Sequence, residues 1–412
     1  MNGSLILREK LHLPAHLAHG LRVDTMRKVA IVGVGMSKFG EEWTRGFRDM
    51  LTEAGGRAIE DAKLSGAEID AMYVGTMAPG SLVGQEHIGA LVADYMGLTP
   101  IPSTRVEAAC ASGGVALRQG YMAIASGIHD CVVVGGVEKM TDTPGDEVAS
   151  ALGGAGDQEW ELFMGATFPA IYAFTARRHM LEYGTTEEQM AHVAVKNHAN
   201  SAKNKYAHFQ NEITLETVMK SKYVASPLKL FDCAPITDGA AVVVLMPLDK
   251  AKKVCEQPIE IVASTQASDY LALHSRASMT SLNATKVAAK KAYETAGVKP
   301  SDIDIVEVHD CFTIAEIMAI EDLGFFPKGQ GGPASAAGKT ALNAEISVNT
   351  SGGLKGCGHP VGATGVKQAV EVVWQLRGTA GARQVKDAKV GMTHNVGGSG
   401  ATAVVHIMKN DV

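Results

Sequence analysis

At 412 residues the chain exceeds what one ordinary hydrophobic core organises, so two domains or one large layered unit are expected. A formal net charge of -6, with basic residues scattered rather than clustered, excludes a field for nucleic acid or for an anionic membrane surface. Six cysteines without a Cys-x-x-Cys pair exclude a zinc ribbon and a disulfide framework, and fit a reduced, cytoplasmic setting with no metal.

High glycine (45 residues) and few aromatics (5%) suit close helix-to-sheet packing, and 46% hydrophobic residues supply a sizeable core. No apolar run approaches bilayer length. Residues 1–25 have neither an apolar h-region nor a cleavage site, so they read as an N-terminal extension. From there the chain reads as a strand (Val29 to Val32), a helix (Arg48 to Leu64), a strand (Ala71 to Gly75), a helix (Glu86 to Tyr95), an extended segment (Ser103 to Ala109) running into a helix that stops at Gly127, and a strand (Cys131 to Gly135). This alternation implies a mostly parallel sheet covered on both faces. The rhythm breaks after Met140, with helical stretches at Ala170 to Tyr183 and Thr186 to Ala202, and returns with the strand Gly239 to Met246.

The second half repeats the first. Ala58 to Val74 lies over Ala292 to Val308 at a constant offset, and Gly239 to Met246 resembles the closing stretch from Gly400 to Met408. Self-similarity over half a chain means duplicated domains. The boundaries follow as an N-terminal half at 26–140 and 231–250, an inserted loop domain at 141–230, and a C-terminal half at 251–412, which ends at the last strand with no appended lipid-carrier domain. Laying Gln119 over Gln368 puts Cys110 over His359, so the duplication sets a thiol and an imidazole at matching helix starts.

Cys110 stands where an extended segment enters a buried helix of small residues. At the positive end of that dipole a thiolate is favoured over a thiol. A lone cysteine is more often a small core residue, so the reading depends on three further stretches: His309-Asp310-Cys311-Phe312, the loop from Gly356 to Gly365, and His394 to Gly400. All fall at strand ends or helix starts, where α/β proteins place their sites.

In that order the stretches resemble the thiolase family from Met26 to the end. The markers are Ala109-Cys110-Ala111-Ser112-Gly113, the Gly-His-Pro-x-Gly-x-x-Gly loop at Gly358 to Gly365, and the Gly-rich turn before the last strand. Most thiolases carry Asn-Glu-Ala-Phe and a Cys-x-Gly at the other two places. Here His309-Asp-Cys-Phe312 and Asn395-Val-Gly397 stand instead, as in the sterol-carrier-type and archaeal branch, and the thiol lost at 395 reappears as Cys311. The resemblance implies a duplicated, five-layered α-β-α-β-α fold with an inserted loop domain.

It also implies an acyltransferase acting on coenzyme A thioesters with no other cofactor, joining two acetyl-CoA to acetoacetyl-CoA or running the reverse thiolysis. Cys110 is then the nucleophile, His359 its base, and Cys311 the acid/base for the alpha proton. His309, holding a water, and His359 stabilise the enolate, and the N–H groups of Cys110 and Gly397 receive the oxyanion. Met164, in Met164-Gly165-Ala166-Thr167, is expected to line the acyl pocket. Homodimers or homotetramers are implied, and in archaeal relatives docking with HMG-CoA synthase through a small bridging protein. Two alternatives remain: decarboxylating condensation of the ketoacyl-synthase kind, left open by the two histidines, and a non-catalytic acyl-CoA scaffold. HMG-CoA synthase is a third relative, but no counterpart of its glutamate base is located.

Overall fold

The computed structural model describes residues 26–410; the extension read at 1–25 lies outside the described residues. The strands are β1 (Val29–Met36), β2 (Ala71–Gly75), β3 (Ser103–Val106), β4 (Val132–Glu138), β5 (Tyr223–Ala225), β6 (Leu228–Lys229), β7 (Gly239–Pro247), β8 (Ile259–Ser268), β9 (Ile305–Glu307), β10 (Ser347–Val348), β11 (Val390–Gly397) and β12 (Thr402–Lys409). The inner ones are near-continuous Val, Ile and Ala runs, as strands buried on both faces must be.

Ten of them follow the order β10-β9-β11-β12-β8-β1-β7-β4-β2-β3, while β5 and β6 pair separately. Outward from the β1–β8 seam the same pattern runs both ways, β7-β4-β2-β3 on one side and β12-β11-β9-β10 on the other. On each side the two inner pairings are antiparallel and the two outer ones parallel. The repeat read from the sequence is therefore a repeat of topology. The sheet is mixed rather than mostly parallel, because β12 follows β11 through a tight glycine turn, which only an antiparallel pair allows, and β7 is reached through the insert instead of a helical crossover.

Two helices, Ser112–Ala125 and Thr364–Leu376, form the central layer. Leu117 and Ile124 of one and Val366, Val370 and Val373 of the other share a core with Val134 and Leu245 from one half and Ile261 and Met408 from the other. Outside, helix Phe47–Asp61 covers β1 and β7, and helix Asn283–Ala296 covers β8 and β12. That makes five layers. The insert contributes helices Gly145–Gly153, Phe168–Tyr183, Glu187–Ser201 and Leu215–Lys220. Glu187–Ser201 starts where Thr186 accepts from the Gln189 N–H in a capping box, a signal visible in the sequence.

The central helices approach closely through glycine. A Cβ on Gly113 would lie 2.6 Å from the Gly362 carbonyl, whereas one on Gly56, in the outer helix, meets nothing within 4 Å. Gly113→Ala is expected to lower unfolding stability by about 1–3 kcal/mol through overpacking. Gly56→Ala should raise it by about 0.5–1 kcal/mol through helix propensity. Denaturant unfolding of the two variants checks the contrast; equal effects would contradict the packing account.

Candidate active site

Each functional stretch arrives on a different element. β3 leads to a turn at Ala108–Cys110 in which Ala109 takes a left-handed φ of +52°. Ser112 closes that turn, accepting from the Ala108 N–H at 2.9 Å and donating to the Ala109 carbonyl at 2.6 Å. The helix begins only at Ser112, so Cys110 sits on a strained turn just ahead of it.

β9 delivers His309 to Phe312. Asp310 accepts from the N–H groups of Leu354 and Lys355, at 2.7 and 3.2 Å, and from Asn197 Nδ2 at 2.7 Å, which ties this strand end to the segment leading to His359. His359 Nδ1 lies 2.7 Å from Thr364 Oγ1, whose hydroxyl donates to the Pro360 carbonyl. Below, Lys367 pairs with Glu307 at 3.0 Å in full burial and fixes the Thr364–Leu376 helix to the end of β9.

These elements bring the Cys110 sulfur and one ring nitrogen each of His309 and His359 within 4.8 Å of one another. The two rings meet edge to face with centroids 5.1 Å apart. Each Nδ1 has a partner, whereas each Nε2 is buried without one. A thiophilic cation could use the same three donors, at the expense of the nucleophile.

Cys110, Cys311 and His359 also line a cavity of about 290 Å³, together with Gly398, Met140, Leu152, Phe168, Tyr172 and Phe312. The wall is almost entirely apolar, partly from the insert. Tyr172 carries no motif and was not legible as a site residue. It stacks on Phe312 at 4.6 Å, donates to the Gly398 carbonyl at 3.3 Å, and is hydrogen-bonded to Cys311.

Three expectations need correction. Burial pushes the Cys110 thiol up to about 12, outweighing the lowering by the N–H groups of Gly398 and Cys110, so the resting group is a thiol and not the thiolate expected from the helix start. Burial likewise holds His359 down to about 3, depresses His309 well below the usual histidine range and raises Cys311, leaving all four neutral. Secondly, the oxyanion donors expected at Cys110 and Gly397 gain a neighbour, since the Gly398 N–H also faces the thiol. Gly397 is required for another reason: its Cβ would fall 2.4 Å from the Ala108 carbonyl in the nucleophile turn. Thirdly, Met164 is 74% exposed and lies by a separate surface cavity with Trp160, Phe174 and His274. Gly165, at φ +84°, turns the chain so that Thr167 and Phe168 face the thiol cavity instead.

The neutral resting pair has a kinetic consequence. Below its pKa a thiol gains thiolate tenfold per pH unit, so inactivation by iodoacetamide through Cys110 should climb without a plateau from pH 6 to 10. Peptide mapping of the alkylated cysteine checks the site, and a plateau near neutrality would contradict the neutral pair.

A mirrored five-layered α/β fold whose two central helix starts carry a thiol and an imidazole to one cavity defines a thiolase-type enzyme class. Family models agree: Thiolase, N-terminal domain, matches residues 29–249, and Thiolase C-terminal domain-like matches 265–410. The chain belongs to the thiolase family. It is 58% identical over 382 residues to acetyl-CoA acetyltransferase of Methanothermobacter thermautotrophicus, covering 93% of this chain and 99% of that one. Human sterol carrier protein 2 is 36% identical, over 92% of this chain and 72% of that protein. Among solved structures, the Ltp2-ChsH2(DUF35) aldolase superposes with a TM-score of 0.82 at 27% identity, covering 94% of this chain and 99% of that one.

Proposed function

We propose that the protein is an acyl-CoA acyltransferase that condenses two acetyl-CoA molecules to acetoacetyl-CoA and free CoA, or runs the reverse thiolysis, through an acyl-Cys110 intermediate. The observation that carries this reading is the convergence of Cys110, His359 and Cys311 on one apolar cavity, with His309 clustered against the Cys110 sulfur and His359. The 58% identity to an acetyl-CoA acetyltransferase supports the substrate.

His359 Nε2 takes the Cys110 proton as the sulfur attacks the first acetyl thioester. The tetrahedral oxyanion accepts from the N–H groups of Cys110 and Gly398, each such donor contributing roughly 2.7–4 kcal/mol to the barrier reduction. The CoA sulfur leaves with the Cys311 proton. The resulting Cys311 thiolate removes the alpha proton of the second acetyl-CoA, and its enolate oxygen accepts from His309 and the protonated His359. The enolate carbon then attacks the acyl carbonyl, the carbon-sulfur bond to Cys110 breaks, and Cys110 recovers its proton from His359. Thiolysis is the same path reversed, and no cofactor beyond the thioesters is needed.

Purified protein mixed with acetoacetyl-CoA and CoA is expected to form acetyl-CoA; none formed would overturn the reading. The cysteine with two histidines favours one second reading, a decarboxylating condensation in which Cys311 has no role. Consumption of malonyl-CoA surviving Cys311→Ser would establish it. Homo-oligomerisation, a cytoplasmic location and docking with HMG-CoA synthase through a small bridging protein belong to the same proposal. The exposed Trp160, Phe163, Met164 and Leu181 offer apolar surface for a second copy, and the aldolase relative is a complex with ChsH2.

A further inference from the structure

Where most thiolases place a second cysteine, this chain places Asn395, on β11 and 1% exposed. Its carboxamide has one possible orientation. Oδ1 accepts from the Gly114 N–H at 3.2 Å, and Nδ2 donates to the Cys110 carbonyl at 3.0 Å. Turning the amide over would set donor against donor and acceptor against acceptor at both backbone groups. The cage is also tight, since a Cβ on Gly365 would lie 2.3 Å from Oδ1 and one on Gly114 2.8 Å. The second Nδ2 hydrogen points at His309 Nδ1, 3.1 Å away.

An amide nitrogen only donates, so His309 Nδ1 must accept and the ring proton must sit on Nε2. That nitrogen is buried and without a protein partner, on a ring that takes part in the cluster around the Cys110 sulfur. His359 is held the opposite way. The Thr364 hydroxyl donates to the Pro360 carbonyl and accepts from His359 Nδ1, which leaves Nε2 as a lone pair. Two chemically identical side chains, clustered with one sulfur, thus carry a donor and a base.

We infer that Asn395 is a positioning residue that fixes His309 in the Nε2-protonated tautomer, making it the hydrogen-bond donor to the enolate oxygen while His359 remains the base. This rests on the thiolase reading above and adds what sets the two histidines apart. Asn395 also ties that choice to the backbone of the nucleophile, through the Cys110 carbonyl.

The test is 15N NMR of histidine-labelled protein, with the His309 signals assigned by their loss in His309→Asn. In the wild type, His309 should be protonated on Nε2 and bare on Nδ1 from pH 6 to 9. In Asn395→Asp the carboxylate accepts from Nδ1, so that nitrogen should become protonated. Condensation kcat should then fall about 10²–10⁴-fold, the range a positioned acid or base contributes, with KM little changed and acetylation of Cys110 much less affected. A wild-type His309 protonated on Nδ1 would overturn the inference, and needs no variant to detect. So would a folded Asn395→Asp that keeps the Nε2 proton and full kcat. The tautomer is read without turnover, so an Nε2-protonated His309 in a protein lacking thiolysis would refute the proposed function and leave the role of Asn395 standing.

Discussion

Cys110→Ala is expected to abolish both condensation and thiolysis, lowering kcat by about 10⁶-fold, as loss of a covalent nucleophile does elsewhere. The size follows from what the site contains. His359 and His309 have no other acceptor for the acyl group within the cluster, and Cys311, hydrogen-bonded to Tyr172, lines the cavity outside that cluster. Without the Cys110 sulfur the reaction reverts to direct attack by one thioester on another, with only binding and hydrogen-bond donors to help. The alanine variant keeps the Ser112 clamp and the Asn395 contact to the backbone carbonyl of residue 110, so the turn should persist and substrate should still bind. Steady-state kinetics with acetoacetyl-CoA, beside a CoA-binding measurement, separates the two. Turnover within tenfold of wild type would contradict the assignment.

Cys311→Ser is expected to divide the reaction. Acetylation of Cys110 draws on Cys311 only to protonate the departing CoA sulfur, which as a thiolate is a good enough leaving group to depart without it and take a proton from water, so a burst of free CoA from acetyl-CoA should survive. Removal of the alpha proton should not, because a serine hydroxyl is a far weaker acid than a thiol and is not ionised on transfer to the departing CoA. Losing a positioned acid/base typically costs 10²–10⁴-fold. Exchange of the acetyl-CoA methyl protons with deuterated solvent should fall by about that factor while the burst remains. Burial raises the Cys311 thiol, which makes the rarely formed thiolate a strong base suited to a weakly acidic C–H, and the Tyr172 hydroxyl steadies it by turning its hydrogen from the Gly398 carbonyl to the sulfur. Equal loss of burst and exchange would show instead that Cys311 holds the site together.

The contrast between what the sequence discloses and what it conceals is physical. Local chemistry is legible: the Cys-x-Ser turn is closed by Ser112 three residues from its carbonyl acceptor, the capping box at Thr186 marks a helix start, and the offset between Ala58 and Ala292 exposes the duplication because topology is repeated with it. Pairing Cys110 with His359 across the repeat succeeded because the pseudo-twofold brings equivalent helix starts together. Features set by distant packing stayed hidden. A helix start does favour a thiolate, but the number of apolar groups closing over Cys110 decides the matter, and those come from distant segments, among them Met77, Met140, Val148 and Val361. Met164 failed for a related reason, since a single left-handed glycine at 165 redirects the segment. That the Gly398 N–H meets the thiol is a one-residue question of where an N–H points, and no pattern of residue types reports that. Asn395 was visible only as a departure from the usual cysteine; its function lies in four contacts from segments some 30 to 280 residues away.

Covalent trapping addresses the core of the account most directly. Protein incubated with acetyl-CoA in the absence of an acceptor, quenched in acid and digested, should carry one acetyl group on the peptide containing Cys110 and none on those containing Cys233 or Cys311. An unmodified Cys110 under conditions of active turnover, or an acetyl group on another cysteine, would contradict it.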